Sequence, residues 1–265
     1  MSSTQPRTQR RVDGLRRVAA AALLAMLSLS TGAVPAAAWS TDECEVPEDL
    51  LRLDAPLPRT ASKLVPGGTL TIVAIGSSST YGAGASDPKM AYPSRMKRML
   101  SAEFPQTKIR VMNRGAGGEV VSDMLARWDR DVVALQPDLV IWQVGANSAL
   151  RASILGDYAD RLREGVARTK AIGADLIFMD AQYAPKVLAK PMAASVLLAT
   201  DQVARQNGIG LFRRFDIMRH WVQGGVLTFP VLLDPDQLHL NDRGYACVAA
   251  AMTDAIIQAA RPLTD

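Results

Sequence analysis

Five short apolar runs, each followed by a longer amphipathic stretch, constrain this chain more than any other feature. The runs are 69–75 (TLTIVAI), 108–112 (KIRVM), 138–144 (DLVIWQV), 175–179 (DLIFM) and 209–212 (IGLF). Most are rich in Val and Ile, as strands buried on both faces tend to be. Helical patterns lie between them at 92–104, 120–135, 154–172 and 191–206, and a last apolar one covers about 243–260. In the third of these, Tyr158, Leu162, Val166 and Thr169 fall on one face. Strand and helix alternating five times predicts an α/β fold, a three-layer α/β/α sandwich around a five-stranded parallel sheet. In such sheets, functional groups gather at the carboxyl ends of the strands.

The first 38 residues read as an address label rather than as part of that domain. Arg7, Arg10, Arg11, Arg16 and Arg17 precede an apolar run from Val18 to about Leu29, and Ala36-Ala37-Ala38 supplies an A-x-A cleavage signal. This is the order of a secretory signal peptide, so export to the periplasm or the extracellular space is expected. The apolar run is short of the about 20 residues a bilayer span needs, so no stable membrane insertion is expected after cleavage. Residues 39–68, rich in Pro, Asp, Glu and Leu, are expected to form an arm packed on a single domain at 69–265.

Charge and cysteines narrow the function classes. The whole chain has 30 Lys+Arg against 26 Asp+Glu, and the leader holds five Arg and one Asp, which leaves 25 of each sign in the mature part. The basic excess therefore belongs to the leader and gives no support for nucleic-acid binding. Two cysteines, Cys44 and Cys247, can pair in an oxidising compartment, stabilising by restricting the unfolded chain. Alternatively they are two free thiols, Cys247 being buried in an apolar helix. Two cysteines alone cannot make a zinc site, and no H-E-x-x-H run or Gly-Lys pair of a phosphate loop occurs.

Four places carry chemistry, and three of them directly follow a predicted strand. They are Gly76-Ser77-Ser78-Ser79-Thr80, Asn113-Arg114-Gly115-Ala116-Gly117-Gly118, Gly145-Ala146-Asn147-Ser148 and, ahead of the last helix, Asp236-Gln237-Leu238-His239. A serine hydroxyl attacks poorly until a base takes its proton, and the imidazole base must be held in one tautomer by a carboxylate. The oxyanion that forms needs hydrogen-bond donors fixed in advance. In order and separation the four places resemble the sequence blocks of the SGNH (GDSL-type) hydrolases, across about residues 70–260. The resemblance implies a flavodoxin-like fold and a cofactor-free, metal-independent serine esterase that works through an acyl-enzyme. It makes Ser78 the nucleophile, His239 the base and Asp236 its orienting partner. It also makes the Ser78 N–H, the Gly118 N–H and the Asn147 amide the oxyanion donors.

The chain departs from the family pattern twice: Ser77 stands where G-D-S-L has Asp, and Ser148 where G-x-N-D has Asp. Each residue also has a bland reading. Ser78 lies in a Gly/Ser run that suits a turn, Gly118 suits a positive φ, and Asn147 suits an Asx bond. Neighbouring Asp234 could replace Asp236. His220 lies in a predicted helix, about residues 216–222, with no partner pattern and reads as structural. The expected substrate is a small ester or an acylated polysaccharide, with carbohydrate deacetylation the favoured reading. A lipase- or thioesterase-like acyl hydrolase and a non-catalytic carbohydrate-binding relative are the alternatives.

Overall fold

The computed structural model describes residues 44–152 and 155–261; the expected leader and the first residues of the expected arm lie outside them. The five apolar runs form five parallel strands: β1 (Thr69–Gly76), β2 (Lys108–Gly115), β3 (Leu139–Gln143), β4 (Asp175–Met179) and β5 (Gly210–Phe212), in the spatial order β2-β1-β3-β4-β5. Every residue of β3 is buried, as a central strand covered on both faces requires, and the short edge strand β5 is buried throughout as well. On the edge, β2 alternates exposed and buried positions over its first half.

Four long helices cover the sheet: α1 (Tyr92–Glu103), α2 (Leu155–Ala171), α3 (Ala193–Asn207) and α4 (Asp242–Ala260). They pack in two pairs, α1 with α4 and α2 with α3, which gives the three-layer α/β/α sandwich. Helix α4 starts where the Asn241 side chain accepts the N–H groups of Arg243 and Gly244 at 3.0 Å each, satisfying donors that have no partner inside the helix. Among the described residues, no helix is long and apolar enough to cross a membrane.

One expected helix is broken. Residues 120–135 form two short helices, Val121–Ala126 and Trp128–Asp131, and a 3-10 turn, Val133–Leu135. The backbone leaves helical angles at Arg127 (φ −112°, ψ 12°). The break turns Trp128 fully into the core, edge-on to Trp142 of β3 with ring centroids 4.6 Å apart.

Residues 44–68 pack against the α/β domain. Leu51, Leu53 and Leu57 are buried, and the N–H of Leu57 donates to the carbonyl of Ala259 at 3.0 Å. Cys44 and Cys247 are joined by a disulfide, which ties this segment to α4.

The strand order sets where a site can form. The connection that follows β1 runs to β2 on one side, and the connection that follows β3 runs to β4 on the other. The crevice outside the carboxyl ends of β1 and β3 is therefore the topological switch point, where ligands of open α/β sheets bind.

Candidate active site

Ser78 opens into that crevice from the end of β1. The chain turns at Ser77 into a single helical turn, Ser78–Tyr81. Ser77 and Ser79 are buried, and only Ser78 of the three serines is open to solvent. Ser77, in the position where an Asp is commonest, points into the fold. Its N–H and its hydroxyl donate to Oε1 of Gln143, at 2.8 and 2.9 Å. Gln143 ends β3 and is itself buried, so one amide oxygen joins the turn to the neighbouring strand. A short hydroxyl suffices here because the acceptor is already in place.

The other half of the array comes from the loop before α4. An isolated antiparallel bridge, Leu233 to Leu240, closes this loop, and the N–H of Asp234 donates to the carbonyl of His239 at 2.8 Å. Gln237 sits inside at a φ of 60°, the left-handed region that a non-glycine residue seldom occupies. Asp236 Oδ1 accepts the N–H groups of Leu238 and His239, both at 2.9 Å, and Oδ2 lies 2.5 Å from Nδ1 of His239. Nε2 of His239 lies 2.8 Å from Oγ of Ser78. Burial pushes the Asp236 carboxyl up, but the His239 and Leu238 N–H groups and the imidazole outweigh it and hold the carboxyl below its ordinary value. Asp236 faces the imidazole, whereas Asp234 shapes the loop through its backbone.

Gly84 makes the approach of this loop possible. Its φ is 87°, and a Cβ there would stand 2.4 Å from the carbonyl oxygen of Leu240 and 3.2 Å from the Cβ of His239. Any side chain at 84 would push His239 away.

Asn147 and the Gly118 turn meet on the other side of the switch point. Asn147 lies in the short helix Ala146–Leu150 after β3, and its Nδ2 donates to the carbonyl of Glu119 at 2.9 Å. One amide hydrogen thus fixes the orientation of the group, and the nitrogen has a second to give. Gly118 has a φ of 78°. Its loop is held by the ion pair of Glu119 with Arg127 at 2.6 Å, and Arg127 also reaches the carbonyl of Gly76 at 3.3 Å and Asp131 at 2.8 Å. Ser148, at the second departure from the family pattern, is buried.

The structure thus brings Ser78, His239 and Asp236 into one hydrogen-bonded line and places Asn147 against the loop of Gly118. His220 is not part of this line. It lies in the helix Arg214–Gln223 and borders a separate cavity of about 750 Å³ with Cys44, Met99 and Asp254. The supporting roles of Gln143, Glu119 and Arg127 were missed at the level of sequence. Gln143 alone left a trace there, as a polar residue ending an otherwise apolar strand.

Known proteins share both the fold and the sequence. The chain is 32% identical to an acetylxylan esterase of Geobacillus stearothermophilus over 166 residues, 58% of this chain and 74% of that protein. A two-domain esterase active on acetylated mannans superposes with a TM-score of 0.64 at 21% identity, covering 80% of this chain and 56% of that one. The chain thus spans little more than half of that larger protein. An α/β hydrolase from the metagenome of Lake Arreo, Spain, gives a TM-score of 0.61 at 26% identity, covering 73% of this chain and 97% of that one. A family model described as the non-GDSL lipase-like family matches residues 43–262, and Ser77 in place of the Asp of G-D-S-L agrees with that description. By its matched length, its relatives and its fold, the chain belongs to the non-GDSL lipase-like family, a family of SGNH-like esterases.

Proposed function

We propose that this protein is an exported serine esterase that removes acetyl groups from carbohydrate. The observation that carries the reading is the unbroken line from Ser78 Oγ through the imidazole of His239 to the Asp236 carboxylate, with separations of 2.8 and 2.5 Å. The first is a distance at which a proton can pass from hydroxyl to imidazole, and the second holds the imidazole against the carboxylate. The substrate class rests on relatives whose described activities are on acetylated xylan and acetylated mannan.

In the first half-reaction, Nε2 of His239 takes the Ser78 proton as Oγ attacks the acetyl carbonyl. The charge that develops on the carbonyl oxygen is received by the N–H of Ser78, the N–H of Gly118 and the second amide hydrogen of Asn147. The tetrahedral adduct collapses as the bond to the sugar oxygen breaks and His239 protonates that oxygen, so the sugar leaves as an alcohol and the acetyl group stays on Ser78. Water then attacks the acetyl carbonyl as the same imidazole takes its proton, and collapse returns that proton to Ser78 Oγ and releases acetate. Asp236 holds the ring in the tautomer that presents a bare Nε2 to the hydroxyl and stabilises the imidazolium when it forms.

Export follows from the leader, residues 1–38. Mass spectrometry of the secreted protein is expected to find a first residue at or near Trp39, and an intact Met1 terminus on exported protein would contradict this.

The test of function is acetate release from acetylated xylan and acetylated mannan, run beside nitrophenyl esters of two to twelve carbons. Wild type is expected to release acetate and to prefer the two-carbon ester, and Ser78→Ala is expected to lose at least about 1000-fold in rate. A preference for the long esters would favour a lipase-like enzyme. No hydrolysis of any ester by wild type would favour a non-catalytic carbohydrate-binding protein.

A further inference from the structure

Arg214 is fully buried, and among the described residues its guanidinium hydrogen-bonds to neutral oxygens rather than to a carboxylate. Its Nε and Nη2 donate to the backbone carbonyl of Asp180, at 3.0 and 2.7 Å, and Nη2 also donates to Oε1 of Gln182 at 2.9 Å. Burying a positive charge on neutral oxygens is costly, and burial lowers the proton affinity of this guanidinium, an effect that the nearby Asp180, Tyr92 and Tyr245 oppose. A fold that needed only to fill this space would do better with an apolar side chain.

What the guanidinium achieves is to orient Gln182. An amide fixed through its oxygen has its nitrogen fixed as well, and Nε2 of Gln182 donates to the carbonyl of Leu238 at 3.1 Å. Leu238 immediately precedes His239, and the N–H groups of both residues are held by Asp236. From the helix Pro185–Leu188, the Lys186 N–H also reaches the loop, but at 3.4 Å to Gln237. The loop carries a left-handed Gln237 and is closed at its base by the isolated bridge of Leu233 and Leu240. Gln182 is therefore its main polar tie to the end of β4, and Arg214, just after β5, fixes Gln182.

We infer that Gln182, oriented by Arg214, is a positioning residue that sets where the imidazole of His239 stands relative to Ser78. The inference rests on the reading of His239 as the base. The nitrogen of the amide, not the mere presence of a polar group, does the positioning.

Gln182→Glu separates that role from a structural one. The carboxylate keeps an acceptor for Arg214, and even gives it an ionic partner, but has no N–H for Leu238 and sets oxygen against oxygen. A displacement of about 1 Å at a catalytic group costs on the order of 100-fold in rate. Gln182→Glu is expected to lower kcat on nitrophenyl acetate by roughly that factor, with KM within about twofold and a melting temperature no lower than wild type. The neutral, donor-free Gln182→Met is expected to lower kcat similarly, and it serves if the glutamate variant does not fold. Amide hydrogen exchange at Leu238 and His239 gives a readout independent of activity: both are expected to exchange at least tenfold faster in the variants.

If wild type proves inactive while the exchange quickens, the assignment of function fails and the positioning of the loop stands. If kcat stays within twofold in both variants and the loop exchanges as in wild type, the inference is overturned. A loss of kcat that simply follows a loss of folded protein in both variants would overturn it too.

Discussion

Asp236 holds His239 by both its backbone and its ring: Oδ1 accepts the His239 N–H at 2.9 Å, and Oδ2 lies 2.5 Å from Nδ1. A single carboxylate, three residues upstream, thus fixes the path of the loop and the angle of the imidazole together. The two tasks fall on different oxygens, so they can be separated by substitution.

Asp236→Asn keeps Oδ1 as the acceptor for Leu238 and His239, so the loop is expected to survive. The amide that replaces Oδ2 donates rather than accepts, and it turns the imidazole to the tautomer with a proton on Nε2. Steady-state kinetics on nitrophenyl acetate are expected to show kcat reduced by about 1000-fold or more with KM little changed. A reduction of less than tenfold would show that the carboxylate is not the orienting group.

Asp180 makes stability depend on pH. Burial pushes its carboxyl up to about 7, against the opposing effects of the Phe215 N–H and Arg214. Because the folded value lies above the unfolded one, the native state keeps a proton that the unfolded chain gives up, and stability falls as pH rises from about 4 to about 7. Asp180→Asn retains an acceptor for the Phe215 N–H, at 2.9 Å in the wild type. It is expected to raise the melting temperature at pH 8 by roughly 5 °C or more and to change it little at pH 4. Equal effects at both pH values would contradict the assignment.

The disulfide between Cys44 and Cys247 spans 203 positions in sequence and anchors the N-terminal segment to α4. Cys44→Ala with Cys247→Ala is expected to lower stability to denaturant by about 4 kcal/mol. The hydrolytic rate at 25 °C is expected to stay within about twofold, since the tie touches none of the groups around Ser78. Denaturation midpoints that match wild type would remove the bond from the account of stability.

Much of the fold and of the line through Ser78 was legible in the sequence because it is written locally. The strand runs are continuous, the turns after β1 and β3 carry their own residues, and Asp236 and His239 are three apart. What was not legible depends on partners far away in the chain. The third strand begins one residue later than its apolar pattern suggests, because Asp138 turns its side chain to the N–H of Thr71 and to Arg59. Residues 120–135 keep a helical pattern, but the contact that breaks the helix is with Trp142 on another element. Gln143 and Gln182 look alike in sequence, as polar residues at strand ends. Only the folded contacts show that one meets Ser77 after β1 and the other Leu238 in the loop before α4. A buried arginine such as Arg214 has no local signal at all, since its partners follow a different strand.

The most direct measurement is the site of covalent labelling by a fluorophosphonate, mapped by peptide mass spectrometry. Three consecutive serines stand in the turn, and only the second lies within reach of both His239 and solvent. One phosphonyl group is expected on Ser78, with labelling slowed at least about 1000-fold in His239→Ala. A label on Ser77, on Ser79 or outside the turn, or labelling at wild-type speed without His239, would contradict it.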